Sequence, residues 1–107
     1  MNKNDFYYEM DDILNDLDNM YKLLKDNIIE STIDINNSIV LNEIDYIDKL
    51  IDEIKLFKNI EIKDYLKKLL VLQRCFYYLQ INSNLYNSLI FNRIMFIIQM
   101  IYNNLKI

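Results

Sequence analysis

Apolar residues in the first thirty positions recur at steps of four and three in near alternation: Phe6, Met10, Ile13, Leu17, Met20, Leu24 and Ile28. That period lays them along one stripe of an α-helix, whereas a half-buried strand needs a step of two. Tyr7, Leu14 and Tyr21 widen the stripe on one side. A helix with such a stripe must bury it against another element, and the same spacing returns further on to supply the partners. Ile44, Ile47, Ile51 and Ile54 repeat it, with Leu50 and Phe57 alongside.

Caps and breaks set the boundaries. Asn4 suits an N-cap, and Asp5 and Glu9 follow where carboxylates complement the helix dipole. After Ser31 the stripe is lost: Thr32-Ile33-Asp34-Ile35 alternates and Asn36-Asn37-Ser38 is turn-like, which predicts a loop up to Leu41. A second helix is expected from Asn42, a break at Asn59, and another at Ile81 to Asn84. The chain holds no Gly and no Pro, so the strongest helix breakers are absent within the segments. Asn, Ile, Lys, Tyr and Phe supply 58 of the 107 residues, and Ala is missing too. That bias matches AT-rich codons, and its effect on the backbone is the same whatever its origin. The expected fold is all-α: one domain over residues 1–107, an antiparallel bundle of helices near 4–30, 42–58, 61–80 and 84–104.

Most catalytic machinery is excluded by missing residue types. Without His there is no Ser-His-Asp or Cys-His nucleophile and no histidine metal site. Without Gly there is no P-loop, dinucleotide loop or nucleophile elbow. Carboxylate chemistry remains, but Asp5, Glu9, Asp12 and Asp16 on the first helix, and Asp45, Asp48 and Asp52 on the second, are placed by spacing away from the apolar stripes. A bundle metal site needs such groups pointing inward. The expectation is therefore no enzyme activity, no metal and no cofactor.

Cys75 is the one cysteine and lies beside Phe76, Tyr77 and Tyr78, where a buried inert thiol is expected. With no disulfide framework and no signal-like N-terminus, a reducing interior is expected: cytoplasm, or host cytosol.

Charge divides the chain. Residues 1–64 carry all sixteen acids and a net −9; residues 65–107 carry five cations, no acid and a net +5. The cations Lys67, Lys68, Arg74, Arg93 and Lys106 look too sparse to form a stripe, which argues against nucleic-acid binding. Asp5–Glu9 and Asp12–Asp16 are like-charged pairs four apart, mildly unfavourable within a helix, and such a face suits a basic partner.

The C-terminal part is also the greasier one. Thirteen of the eighteen residues from Leu85 to Tyr102 are apolar or aromatic, more than a peripheral bundle helix needs. A membrane span is disfavoured by Asn87, Asn92, Arg93 and Gln99 within it. The excess instead suggests docking of another protein or of a second copy as a homodimer, with Tyr77, Tyr78, Phe91, Phe96 and Tyr102 as anchors. The functional expectation is a small binder or inhibitor that occupies a partner's surface, in a viral, phage or mobile-element setting against a host factor. The alternatives are a structural or regulatory subunit that self-assembles through its C-terminal helices, and a weak nucleic-acid binder using the cation-only half.

Overall fold

The structure, a computed structural model, describes residues 3–31, 37–82 and 88–106, with side chains at 9–28, 39–82 and 89–106. Among the described residues there is no strand. Four helices follow one another: α1 (Lys3–Ser31), α2 (Asn37–Lys55), α3 (Ile62–Asn82) and α4 (Ser88–Leu105), with a 3-10 turn at Phe57–Asn59 between α2 and α3.

Each helix packs on its two neighbours, α1 on α2 and α4, and α3 on α2 and α4. The four therefore stand at the corners of a square, with α1 diagonal to α3. Cross-links from α1 to α2 and to the turn that follows it run in opposite chain directions: Lys25 meets Asp48, Asp18 meets Lys55, and Asp11 meets Lys58. That is an antiparallel pair. The 46 Å long axis fits the 29 residues of α1 at about 1.5 Å each.

The core consists of four seams. Met10, Leu14, Leu17, Tyr21, Leu24 and Ile28 come from α1, and Val40, Ile44, Ile47, Ile51 and Ile54 from α2. Tyr65, Leu69, Leu72, Phe76 and Leu79 come from α3, and Phe91, Ile94, Ile98, Ile101 and Leu105 from α4. Steps of four and three alternate in every seam, the pattern that keeps one narrow stripe on the bundle axis. The α2 seam is β-branched throughout, while α1 and α3 bring leucines and large rings. Tyr21 and Phe76 meet edge to face across the diagonal, with centroids 5.8 Å apart.

The α2–α3 turn is built without a left-handed residue. Leu56 takes φ −90° and ψ 34°, Ile60 is extended, and Asn59 N–H donates to the Leu56 carbonyl at 2.9 Å. No described residue has positive φ. In a chain without glycine, a tightened 3-10 turn closes the helix end where a left-handed cap is common elsewhere.

Several sequence expectations need correcting. Helix α2 starts at Asn37, not Asn42, because Val40 extends the seam one turn toward the N-terminus and is buried. Residues 32–36, where the strand-like alternation lay, fall outside the described residues, as do 83–87, where the fourth helix was expected to begin. On α1 the core stripe is centred on Leu14 and Tyr21, with Ile13 and Met20 at its edge. Asp48 does not point away from the core side: it faces α1 and takes bonds from Tyr21 and Lys25. Asp45 and Asp52 are exposed as expected.

Candidate interaction site

Two flanks of α1 differ in how their charges are met. The flank toward α2 is balanced. Asp18, 9% exposed, accepts from Lys55 at 2.6 Å and pairs with Lys22 at 3.1 Å. Burial by itself would raise its pKa, but the bonds from Lys55 and Lys22 outweigh it and hold the carboxyl below the usual value. Tyr21 Oη donates to Asp48 Oδ1 at 2.7 Å, with the Ile44 carbonyl also within reach at 3.1 Å. Burial first, and then the carboxylate of Asp48, push the Tyr21 phenol upward, so it stays a donor. Lys68 and Glu53 pair at 2.6 Å between α2 and α3 in the same way.

The other flank of α1, toward α4, is not balanced. Glu9, Asp12 and Asp16 follow one another at steps of three and four, are exposed, and make no ion pair among the described residues. Asp5 continues that row in register, though its side chain lies outside the described set. At Asp16 the row reaches a cleft of about 570 Å³ between α1 and α4. Asp16, Asn19 and Met20 form one wall; Arg93, Phe96 and Ile97 form the other, with Leu89 and Asn92 at its rim. Phe96 is 69% exposed and Leu89 70%. They are seven residues apart, so both stand on the same outward strip of α4.

The structure thus brings together two residues that the sequence placed on separate surfaces, Asp16 and Phe96. The other expected anchors do not converge on them. Phe91 is 1% exposed, part of the α4 seam, and is no surface anchor. Tyr102 is half-buried against the core, and Lys106 lies 5.8 Å over its ring. Tyr78 lines a depression between α2 and α3 with Ile39, Glu43 and Arg74, on the opposite side of the bundle from the cleft. Tyr77 is exposed on the outer side of α3. Cys75 is buried at the edge of the α2–α3 depression, and burial together with the nearby Glu43 carboxylate pushes its thiol up to about 12. It is a poor nucleophile there.

No family model, curated protein or solved structure matches the chain. Among the described residues no group of His, Cys, Asp or Glu could hold a metal ion, and no helix is long and apolar enough to cross a membrane.

Sequence reasoning missed Leu89, Met20, Ile97 and Arg93 as lining residues. Helix α4 carries two overlapping apolar periods, and spacing alone does not say which of them is buried. The 91-94-98-101-105 set wins the core, and the 89-96 pair is left outside. Sparse along the sequence, some of the cations align in space. On α3, Lys63, Lys67 and Arg74 are exposed at steps of four and seven and so share one outward row.

Proposed function

We propose that this chain is a non-enzymatic protein-interaction module whose α1/α4 cleft receives an apolar helix face flanked by Lys or Arg. One observation carries the reading. Phe96 and Leu89 stand out from α4 across the cleft from Asp16, the end of a row of exposed acids, Glu9, Asp12 and Asp16, that make no ion pair among the described residues. Exposed aromatic and aliphatic groups supply affinity when a partner covers them, and unpaired charge selects a partner of opposite sign. The same acids repel nucleic acid and anionic membranes from this side. A binder of this kind fits an inhibitor that occupies a partner's surface; codon bias and small size make a virus, phage or mobile element a suitable source. The lone cysteine fits a reducing compartment such as cytoplasm or host cytosol.

The test is an NMR titration with an 18-residue amphipathic peptide of Leu and Lys. Shifts are expected at Asp12, Asp16, Met20 and Phe96. Asp12→Lys with Asp16→Lys should weaken binding at least tenfold, whereas Asp45→Lys with Asp52→Lys, an equal change in net charge on α2, should not. Equal losses in both double variants would reduce the effect to net charge and sink the reading.

A further inference from the structure

Outside the cleft, the most unusual surface is the outer row of α3. Lys63, Lys67, Leu70, Arg74, Tyr77 and Ile81 follow one another at steps of four and three, and every one is exposed. This is a second seam on the side of α3 away from its core seam, cationic toward its N-terminus and apolar toward its C-terminus. Lys63, Lys67 and Arg74 make no ion pair among the described residues, while Lys68, on the flank toward α2, is paired with Glu53. Asp64 is one position off the row and so is turned about 100° away from Lys63.

This row has the chemistry that the α1/α4 cleft requires. We propose that the outer row of α3 from one copy of the chain seats in the α1/α4 cleft of the next, joining copies head to tail. The inference rests on the docking role of the cleft and names its occupant. The spacings agree. Glu9 to Asp16 spans seven residues of α1, and Lys67 to Arg74 spans seven of α3, about 10 Å each. With the docked α3 running parallel to α1, Lys67 stands opposite Glu9 and Arg74 opposite Asp16. Tyr77 and Ile81 then continue past Asp16, where Met20, Phe96 and Leu89 supply the apolar part of the cleft. Asp16 and Arg93 are the acid and the cation that line the cleft itself, and Glu9 and Asp12 add two exposed acids on the same flank of α1 beyond it. The contact is heterologous, because the cleft lies on the α1/α4 side and the α3 row on the corner diagonal to α1. Two copies cannot satisfy both faces with each other, so the contact repeats into a ring or an open string.

Sedimentation of the full chain tests this with two blocking variants. Phe96→Asp blocks the cleft and leaves the α3 row intact; Tyr77→Asp blocks the row and leaves the cleft intact. Both side chains are more than half exposed, so the bundle is retained, as circular dichroism will show. The average mass of the unmodified chain is expected to rise with concentration and to fall as salt is raised. Each variant alone is expected to self-associate at least tenfold more weakly. An equimolar mixture should form a one-to-one dimer and stop, since only one productive pair of faces remains. A strictly monomeric unmodified chain at millimolar concentration overturns the proposal, and so does a variant that still dimerises alone, which marks a symmetric interface. If the chain is monomeric yet the Leu/Lys peptide still binds at the cleft, self-docking fails and the docking role survives; if neither binds, both fail. A monomer that binds labelled single-stranded DNA, and loses it in Lys63→Glu with Lys67→Glu, reassigns the α3 row to nucleic acid and overturns the proposal equally.

Discussion

Asp18 shows how one residue couples a surface to the stability of the bundle. It is nearly covered, and its carboxylate is held by Lys55 from α2 and Lys22 from its own helix. Asp18→Ala leaves the half-buried Lys55 without its partner and should cost about 2 kcal/mol in chemical denaturation. The sign of the pH effect follows from the lowered pKa. The folded state holds the ionised form more strongly than the unfolded chain does, so the contribution is complete above about pH 4 and is lost as pH falls further. Asp18→Asn should accordingly flatten the acid limb of a stability-against-pH curve, and a curve unchanged in shape would show that other carboxylates set it. Tyr65 is the opposite case. Its ring is in the α3 seam, edge to face with Phe57 at 6.5 Å, but its buried hydroxyl finds no partner among the described residues. Burial raises its pKa, so the hydroxyl stays neutral and unsatisfied. Tyr65→Phe keeps the ring and removes the unmet polar group, so it should stabilise by about 1 kcal/mol, read as a higher denaturation midpoint.

Helix α2 makes the sharpest test of how an element is delimited. Its seam begins at Val40, and the backbone is helical from Asn37. Leu41 is therefore the fifth residue of the helix, with its N–H directed at the Asn37 carbonyl. Because its side chain is partly exposed, replacing it disturbs little packing. Leu41→Pro should nonetheless cost about 3 kcal/mol, since it removes that bond and clashes with the preceding turn. Were the helix to start at Asn42, the same substitution would precede the first turn and do little harm. Calorimetric or denaturant unfolding of this variant discriminates between the two starts. Helix α4 carries the converse lesson. Two apolar rows compete for the core, and the outcome is set by which row contacts α1 and α3 together. Phe91 is buried and Phe96 is not, although a five-residue step separates two identical side chains.

At the scale of the whole bundle, the buried residues of all four helices form one contiguous core. Phe76 touches Tyr21 across the diagonal and is fully buried, so it ties the α1/α2 side to the α3/α4 side. Phe76→Ala should lose about 3 to 5 kcal/mol, a large share of the roughly 5 to 15 kcal/mol that keeps a small domain folded. Its unfolding midpoint is expected to drop by tens of degrees, with all helices melting together. Charge is also organised at this scale. Lysine–carboxylate pairs close the α1/α2 and α2/α3 grooves, and none of them reaches Glu9, Asp12 and Asp16 on the α4 flank of α1 or Lys63, Lys67 and Arg74 on the outer α3 row. The split of net −9 and +5 along the chain is not kept in space: Glu53 of the acidic part pairs with Lys68 of the cationic part, and Asp16 and Arg93 share one cleft.

The all-helical class, the helix count and most boundaries were written in local patterns: the four-three spacing, the missing helix breakers and the Asn-rich breaks. So was the exclusion of histidine and glycine chemistry, because an absent residue type cannot be restored by folding. Which of two overlapping apolar rows enters the core, which carboxylates find lysines, and whether Asp16 and Phe96 share a cleft were decided only by tertiary structure. Those outcomes depend on how each helix rotates about its axis, and that angle is fixed by neighbours distant in sequence rather than by the residues of the helix itself.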